Sequence, residues 1–199
     1  MCGIVGICNF FNKPNTEMVK LMNKALHHRG PDDEGYFNNE TISFGHKRLS
    51  ILDIENSRQP MVDKTNGNTL IYNGEIYNFE KIKLELKNLG YVFETNGDTE
   101  VILKAYDHWG ADCLNKFEGM FAFAIWDNKK KHLFIARDKF GEKPFFYTYL
   151  DEYGFIFSSE IKSFMNVDKI KKTLKIDYSS LNTYLSLNYL IADKTFFKE

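Results

Sequence analysis

The second residue of the chain is a cysteine, in Met1-Cys2-Gly3-Ile4-Val5-Gly6-Ile7. If Met1 is removed, Cys2 carries a thiol and a free α-amine on one residue. A terminal amine titrates near pH ~8, so part of it is unprotonated at neutrality and can take a proton. Thiol and amine then form a nucleophile and its base without a histidine. Gly3 leaves room for a substrate to approach the backbone. The competing reading is a frayed chain end with an incidental cysteine. Other stretches carry groups that such a reaction needs. Arg48, in Gly45-His46-Lys47-Arg48-Leu49-Ser50-Ile51-Leu52-Asp53, stands where a strand ends. A fixed guanidinium there grips a carboxylate through two parallel bonds; a solvated strand-end arginine reads equally well. Asn73-Gly74 is a hairpin signal, although Asn66-Gly67 and Asn96-Gly97 repeat the dipeptide. Alternatively, the amide and the glycine N–H both donate to an oxyanion. Asp98 either caps a helix or holds a substrate ammonium. His27 and His28 read as a helix end with favourable dipole contacts, and no other ligand pair stands at zinc spacing, so no metal is expected.

Several elements must position these groups. Ile4–Phe10 reads as a strand that holds the terminus in a sheet. Thr16–His27 has an apolar stripe of Met18, Leu21, Met22, Ala25 and Leu26 at helical spacing, with Asn15 or Thr16 as cap. Residues 28–35 form a breaker-rich loop. Tyr36–Asn38 and Ile42–Arg48 pair around Asn39-Glu40-Thr41. Thr69–Tyr72 is a strand; Phe79–Leu89 is a helix capped by Asn78 and stopped by Gly90. Tyr91–Glu94 reads as a short strand, followed by a helix to Trp109 with Asp98 as cap. Met120–Trp126 is a continuous apolar run, hence a strand buried on both faces. His132–Ala136 returns after a turn. A loop at 137–144 precedes a last hairpin of Phe145–Leu150 and Phe155–Ser158, and helices follow at Glu160–Met165 and Asp177–Leu190. Hairpin strands with helices inserted in two places make an α+β layered domain.

Composition narrows the function. Lys+Arg 26 against Asp+Glu 27 gives a net charge of -1 with no basic stripe, which speaks against nucleic acid. No apolar run approaches the ~20 residues of a membrane span, and no secretory signal is visible. Three scattered cysteines, Cys2, Cys8 and Cys113, point to a reduced, cytoplasmic setting.

Taken together the chain resembles the class II glutamine amidotransferase domain of the N-terminal nucleophile hydrolases. The resemblance rests on Met1-Cys2-Gly3-Ile4, His28-Arg29-Gly30-Pro31-Asp32, Arg48-Leu49-Ser50-Ile51-Leu52-Asp53, Asn73-Gly74-Glu75-Ile76-Tyr77-Asn78, Gly97-Asp98-Thr99-Glu100, Phe117–Trp126 and Arg137–Tyr147. These run in family order over nearly the whole chain. Arg48-Leu49-Ser50 and Glu75 resemble the glutamine-hydrolysing asparagine synthetases in particular. The resemblance implies a four-layer αββα sandwich of two mainly antiparallel sheets over residues 2–188, with 189–199 a linker or the start of an absent synthetase domain. It implies that Cys2 attacks the side-chain amide of L-glutamine, that Asn73 and the Gly74 N–H stabilise the oxyanion, and that Arg48 binds the α-carboxylate. Asp98, helped by Glu75, would bind the α-ammonium, and Leu49, Ser50, Ile51 and Leu52 would line the pocket.

Ammonia would pass to a synthetase domain or subunit, most naturally for asparagine biosynthesis. Transfer to a sugar or a surface polysaccharide, or a non-catalytic docking module, are the alternatives; a homo-oligomer is possible. The Ser-Gly-Gly-x-Asp-Ser pyrophosphate loop of the synthetases is absent, so ATP and magnesium are expected only in a downstream domain and no cofactor in this one. Lys139 and Glu142 stand where relatives often have proline and an apolar residue, on a surface that bears on the acceptor.

Overall fold

The computed structural model describes residues 1–50, 53, 56–191 and 193–198. The first strand, β1 (Gly3–Cys8), alternates its side chains with period two. Val5 and Ile7 face one apolar cluster and Ile4 and Cys8 face another. Around it lie β2 (Asp33–Asn38) and β3 (Ile42–Arg48), then β8 (Phe146–Leu150) and β9 (Gly154–Ser158), in the order β2-β3-β1-β9-β8. The second sheet is β4 (Met61–Val62), β5 (Thr69–Ile76), β6 (Gly119–Asp127) and β7 (His132–Arg137), in chain order. Every strand pair is antiparallel.

Three apolar clusters define the layers. Helix α1 (Thr16–Ala25) lays Met18, Val19 and Met22 on Val5, Ile7 and Ile156 of the first sheet. Helices α2 (Phe79–Asn88) and α3 (Asp98–Trp109) lay Ile82, Leu86, Val101 and Ile102 on Leu70, Tyr72, Phe123 and Ile125 of the second. Between the sheets lie Ile4, Phe44, Ile71, Ala122, Trp126 and Phe157. The β6 run is apolar throughout because Phe121, Phe123 and Ile125 face the helices while Ala122, Ala124 and Trp126 face the other sheet. The result is the αββα sandwich the resemblance implied. Asn15 caps α1, accepting from Met18 N at 3.1 Å.

Two local expectations fail. Asn78 stands at the start of α2 but does not cap it; its amide donates to Lys116 O at 2.9 Å and accepts from Glu118 N at 3.1 Å. Residues 91–94 are not a strand: the Glu94 and Thr95 N–H groups donate to the Glu100 carboxylate, at 3.0 and 2.7 Å, instead of to a neighbouring strand. The last helices are α4 (Ile161–Met165), α5 (Asp168–Lys171) and α6 (Tyr178–Leu187), the last ending at Asn188 with φ +61°. The chain then folds back, with Phe197 bridging Ile176.

One polar bond crosses the middle layer. His46 of β3 is fully buried, and its Nε2 lies 3.1 Å from Tyr72 O of β5. The ring must therefore carry its proton on Nε2 to donate to that carbonyl. Burial, aided by Arg48, lowers the His46 pKa to about 4, against the contrary pull of the Tyr72 carbonyl and Asp33. The folded pKa lies below the unfolded value, so this contribution is complete above pH ~6.5 and is lost as the pH falls toward 4. The expected loss is roughly 3 kcal/mol of unfolding free energy, at ~1.4 kcal/mol per pH unit. Urea titrations at pH 7 and pH 4.5 measure it, and His46→Gln, which keeps a donor but cannot titrate, should flatten the difference.

Candidate active site

Cys2 immediately precedes β1, whose Gly3 pairs with Lys47, so the thiol comes beside the end of β3. Its Sγ receives the Leu49 N–H at 3.4 Å and points a weak S–H bond at Leu49 O at 3.6 Å. Its carbonyl is held by Arg29 Nε at 2.9 Å. Arg29 is itself buried and anchored by Nη1 to Glu160 at 2.9 Å, and Glu160 also meets His28 Nε2 at 3.0 Å. Burial pushes the Cys2 thiol up; the Leu49 N–H, the chain-terminal ammonium, Arg48 and Arg29 pull it back without cancelling the rise. The terminal amine, carried by Met1 in this chain, is lowered by burial, Arg29 and Lys143 against Cys2 and Asp32, which favours its free base.

Arg48 is the last residue of β3 and is buried. Its Nη2 donates to Asp53 O at 2.9 Å, and the Asp53 carboxylate accepts from Asn96 N at 2.7 Å. The loop after β3 is thus tied to the start of α3. Ser50 donates its N–H to Asp32 at 2.8 Å; Leu49 stands on the cavity wall, and Ile51 and Leu52 lie outside the described residues.

Asp98 does not cap α3. Gly97 holds the cap position, and the Asp98 carboxylate turns inward to accept from Tyr72 Oη at 2.7 Å and Ile76 N at 3.1 Å. Burial, with Glu75 adding to it, raises its pKa despite those two donors. A cation brought by a ligand would restore the charged form. Asn73-Gly74 is not a turn either. Both residues lie within β5, opposite Ala122 and Phe121, and the β4–β5 turn falls at Asn66-Gly67, where Gly67 has φ +76°. Strand pairing with β6 overrode the local signal. A Cβ at Gly74 would lie 2.3 Å from Met120 O, so only glycine fits. Asn73 is buried, and its Nδ2 has no hydrogen-bond partner among the described residues.

One cavity of about 140 Å³ brings together Cys2, Arg48, Leu49, Asn73, Gly74, Glu75 and Asp98, while Ser50 does not line it. The wall also holds Ser57, Tyr72 and Lys143, which sequence reasoning did not single out. Lys143 is placed by Asp138, whose carboxylate accepts the N–H groups of Phe140, Glu142 and Lys143, and its Nζ rests 3.0 Å from Met120 Sδ. An aspartate followed by a glycine in a short loop was the available signal for that bracing. Among the described residues no group of three or more His, Cys, Asp or Glu could hold a metal ion, and no helix is long and apolar enough to cross a membrane.

A thiol next to the chain start, where the central strand of the five-stranded sheet begins, shares a cavity with a buried cation, a buried carboxylate and an amide nitrogen that has no partner among the described residues, on the αββα fold of the N-terminal nucleophile hydrolases. The chain belongs to the glutamine amidotransferase domain family, whose model matches residues 1–199. It is 41% identical over 194 residues to asparagine synthetase [glutamine-hydrolyzing] 1 of Bacillus subtilis, covering 96% of this chain and 30% of that protein. It is 41% identical over 217 residues to a putative asparagine synthetase [glutamine-hydrolyzing] 2 of Methanocaldococcus jannaschii, covering 100% of this chain and 41% of that one. The chain thus spans about a third of the length of these relatives. The glutamine phosphoribosylpyrophosphate amidotransferase of B. subtilis superposes with a TM-score of 0.68 over 82% of this chain and 43% of the other, at 21% identity, which shows a shared fold.

Proposed function

We propose that this amidotransferase domain hydrolyses the side-chain amide of L-glutamine to glutamate and ammonia. The observation that carries the reading is the Asn73 Nδ2, a buried donor without a partner among the described residues, in the cavity that also holds the Cys2 thiol. A buried donor left unmet costs about 1–3 kcal/mol, so it is expected to meet an acceptor during function. Removal of Met1 exposes the Cys2 amine. That amine takes the thiol proton as sulfur bonds to the amide carbon, and the carbonyl π pair moves onto oxygen, where Asn73 and the Gly74 N–H receive it. Collapse expels ammonia, which takes its third proton from the terminal ammonium. Water then adds to the γ-glutamyl thioester with the same amine as base, and breaking the C–S bond returns thiol and glutamate. Arg48 grips the α-carboxylate and Asp98, with Glu75 nearby, the α-ammonium, so both charged ends of the substrate are fixed and the amide is left over the sulfur. Every group used here is a side chain or backbone group of this chain.

The ammonia acceptor is a synthetase domain. The relatives' names make aspartate the first candidate substrate of that domain, and ATP with magnesium would bind there. A cytoplasmic setting suits the three unpaired thiols.

The test is incubation with L-glutamine, reading glutamate and ammonia in equal amounts, together with intact mass. Full activity in a chain that retains Met1 would remove the amine from the mechanism.

A further inference from the structure

One hydroxyl on the cavity wall is used by nothing in the described protein. Ser57 is 5% exposed, and its Oγ is buried without a hydrogen-bond partner. Its position is built from both sides. The Ser57 N–H donates to Asp53 O at 3.1 Å, the same carbonyl that receives Arg48 Nη2 at 2.9 Å. Opposite lies Gly97, where a Cβ would stand 2.5 Å from the Ser57 Oγ. A glycine immediately before Asp98 is thus what leaves the hydroxyl its room. Ser57 therefore belongs to the end of the cavity where the turn that holds Arg48 meets the start of α3 and Asp98.

Buried polar groups in native proteins are nearly always satisfied, and an exception asks for a cause such as a ligand. A hydroxyl can accept as well as donate, so it can serve an ammonium. Asp98, on the same cavity wall, has its pKa raised by burial with Glu75 adding to it, and a bound cation would pull it back, so this wall favours an incoming cation.

We propose that Ser57 is a specificity-determining contact of the glutamine site, its Oγ accepting a hydrogen bond from the substrate's α-ammonium beside Asp98. The assignment rests on the reading of the cavity as a glutamine site. It makes the hydroxyl a group that does nothing for the free protein and something for the complex.

The experiment compares the Met1-free wild type with Ser57→Ala on two substrates, L-glutamine and 4-carbamoylbutanoate, which keeps the amide and a carboxylate but lacks the α-ammonium. On glutamine, Ser57→Ala should raise KM about tenfold with kcat within about twofold, the scale of a hydrogen bond to a charged group. On 4-carbamoylbutanoate, wild type and variant should have the same kcat/KM. The melting temperature of the variant should equal or exceed that of wild type, since a buried orphan is removed. An unchanged KM for glutamine in an active wild type overturns the Ser57 contact alone. So does an equal loss on both substrates, or a loss of kcat together with a lowered melting temperature, which would mark a structural role. A wild type that releases no glutamate from glutamine overturns the glutamine reading itself and the contact with it.

Discussion

Cys2→Ala abolishes glutamate release, by about 10⁴-fold or more, while the protein unfolds at nearly the temperature of wild type. The two halves of this expectation come from different observations. The thiol is only partly buried and makes weak contacts to Leu49, at 3.4 and 3.6 Å, so its removal costs little packing. The backbone at residue 2 is held independently by Arg29, whose Nε takes the Cys2 carbonyl and whose Nη1 is anchored on Glu160. The loss of activity, by contrast, is that of the proposed nucleophile, and knocking out a nucleophile typically removes nearly all that its catalytic unit contributes. The other thiols provide an internal control. Cys8 and Cys113 are buried, and burial pushes each up to about 12. The thiolate is the reactive form, and Cys2, although burial raises its pKa as well, is the one of the three that is partly exposed, so iodoacetamide at neutral pH should label the folded wild type once, at Cys2, and the variant not at all. Residual turnover in Cys2→Ala, or labelling of Cys8 or Cys113 at a comparable rate, would refute the assignment.

How far the sequence could carry this picture varied with the range of the interactions involved. The strands flanking the site were legible because each obeys a local period. The unbroken apolar run of β6 follows from a strand covered by helices on one side and a sheet on the other. The order of the layers was not legible from periodicity; it came from the family resemblance, since nothing in β1 alone says that Ile4 faces Ile71 and Ala122 of a different sheet. Local signals failed where a distant partner outbid them. Asn73-Gly74 reads as a turn until eight residues of β5 pair with β6. Asp98 reads as a cap until Tyr72 and Ile76 claim its carboxylate. The expected strand at 91–94 is undone by one side chain, Glu100, reaching back to its N–H groups. In two of these three cases the failure marks the site itself. Arg29 and Lys143 stood inside the resemblance motifs without a role, and Ser57 in none, for another reason: each acts through a contact across at least two elements, and neither residue type nor spacing reports that.

Asn73→Ala should lower kcat by 10²–10³-fold and leave KM for glutamine nearly unchanged. Removing one donor from an oxyanion site typically costs about 3–4 kcal/mol of barrier. The Asn73 Nδ2 has no hydrogen-bond partner among the described residues, so the variant breaks no hydrogen bond from Nδ2 there and only small changes of stability should follow. KM stays level because an amide oxygen in the ground state carries little of the charge that the donor is placed to meet; an interaction made only in the transition state lowers kcat and kcat/KM alike. The neighbouring donor cannot be tested in the same way, because any side chain at Gly74 drives into Met120 O at 2.3 Å and would misplace β5 and β6 together. The contrast with Ser57 is the sharper control, since the two orphaned groups share one cavity wall. If Asn73 serves the reacting carbonyl and Ser57 the α-ammonium, the first substitution falls on kcat and the second on KM. Steady-state kinetics of the two variants and of their combination would show additive losses of free energy, as expected for groups at opposite ends of one substrate. An Asn73→Ala protein that loses affinity but not turnover would place this amide on the ground-state substrate and leave the oxyanion without its side-chain donor.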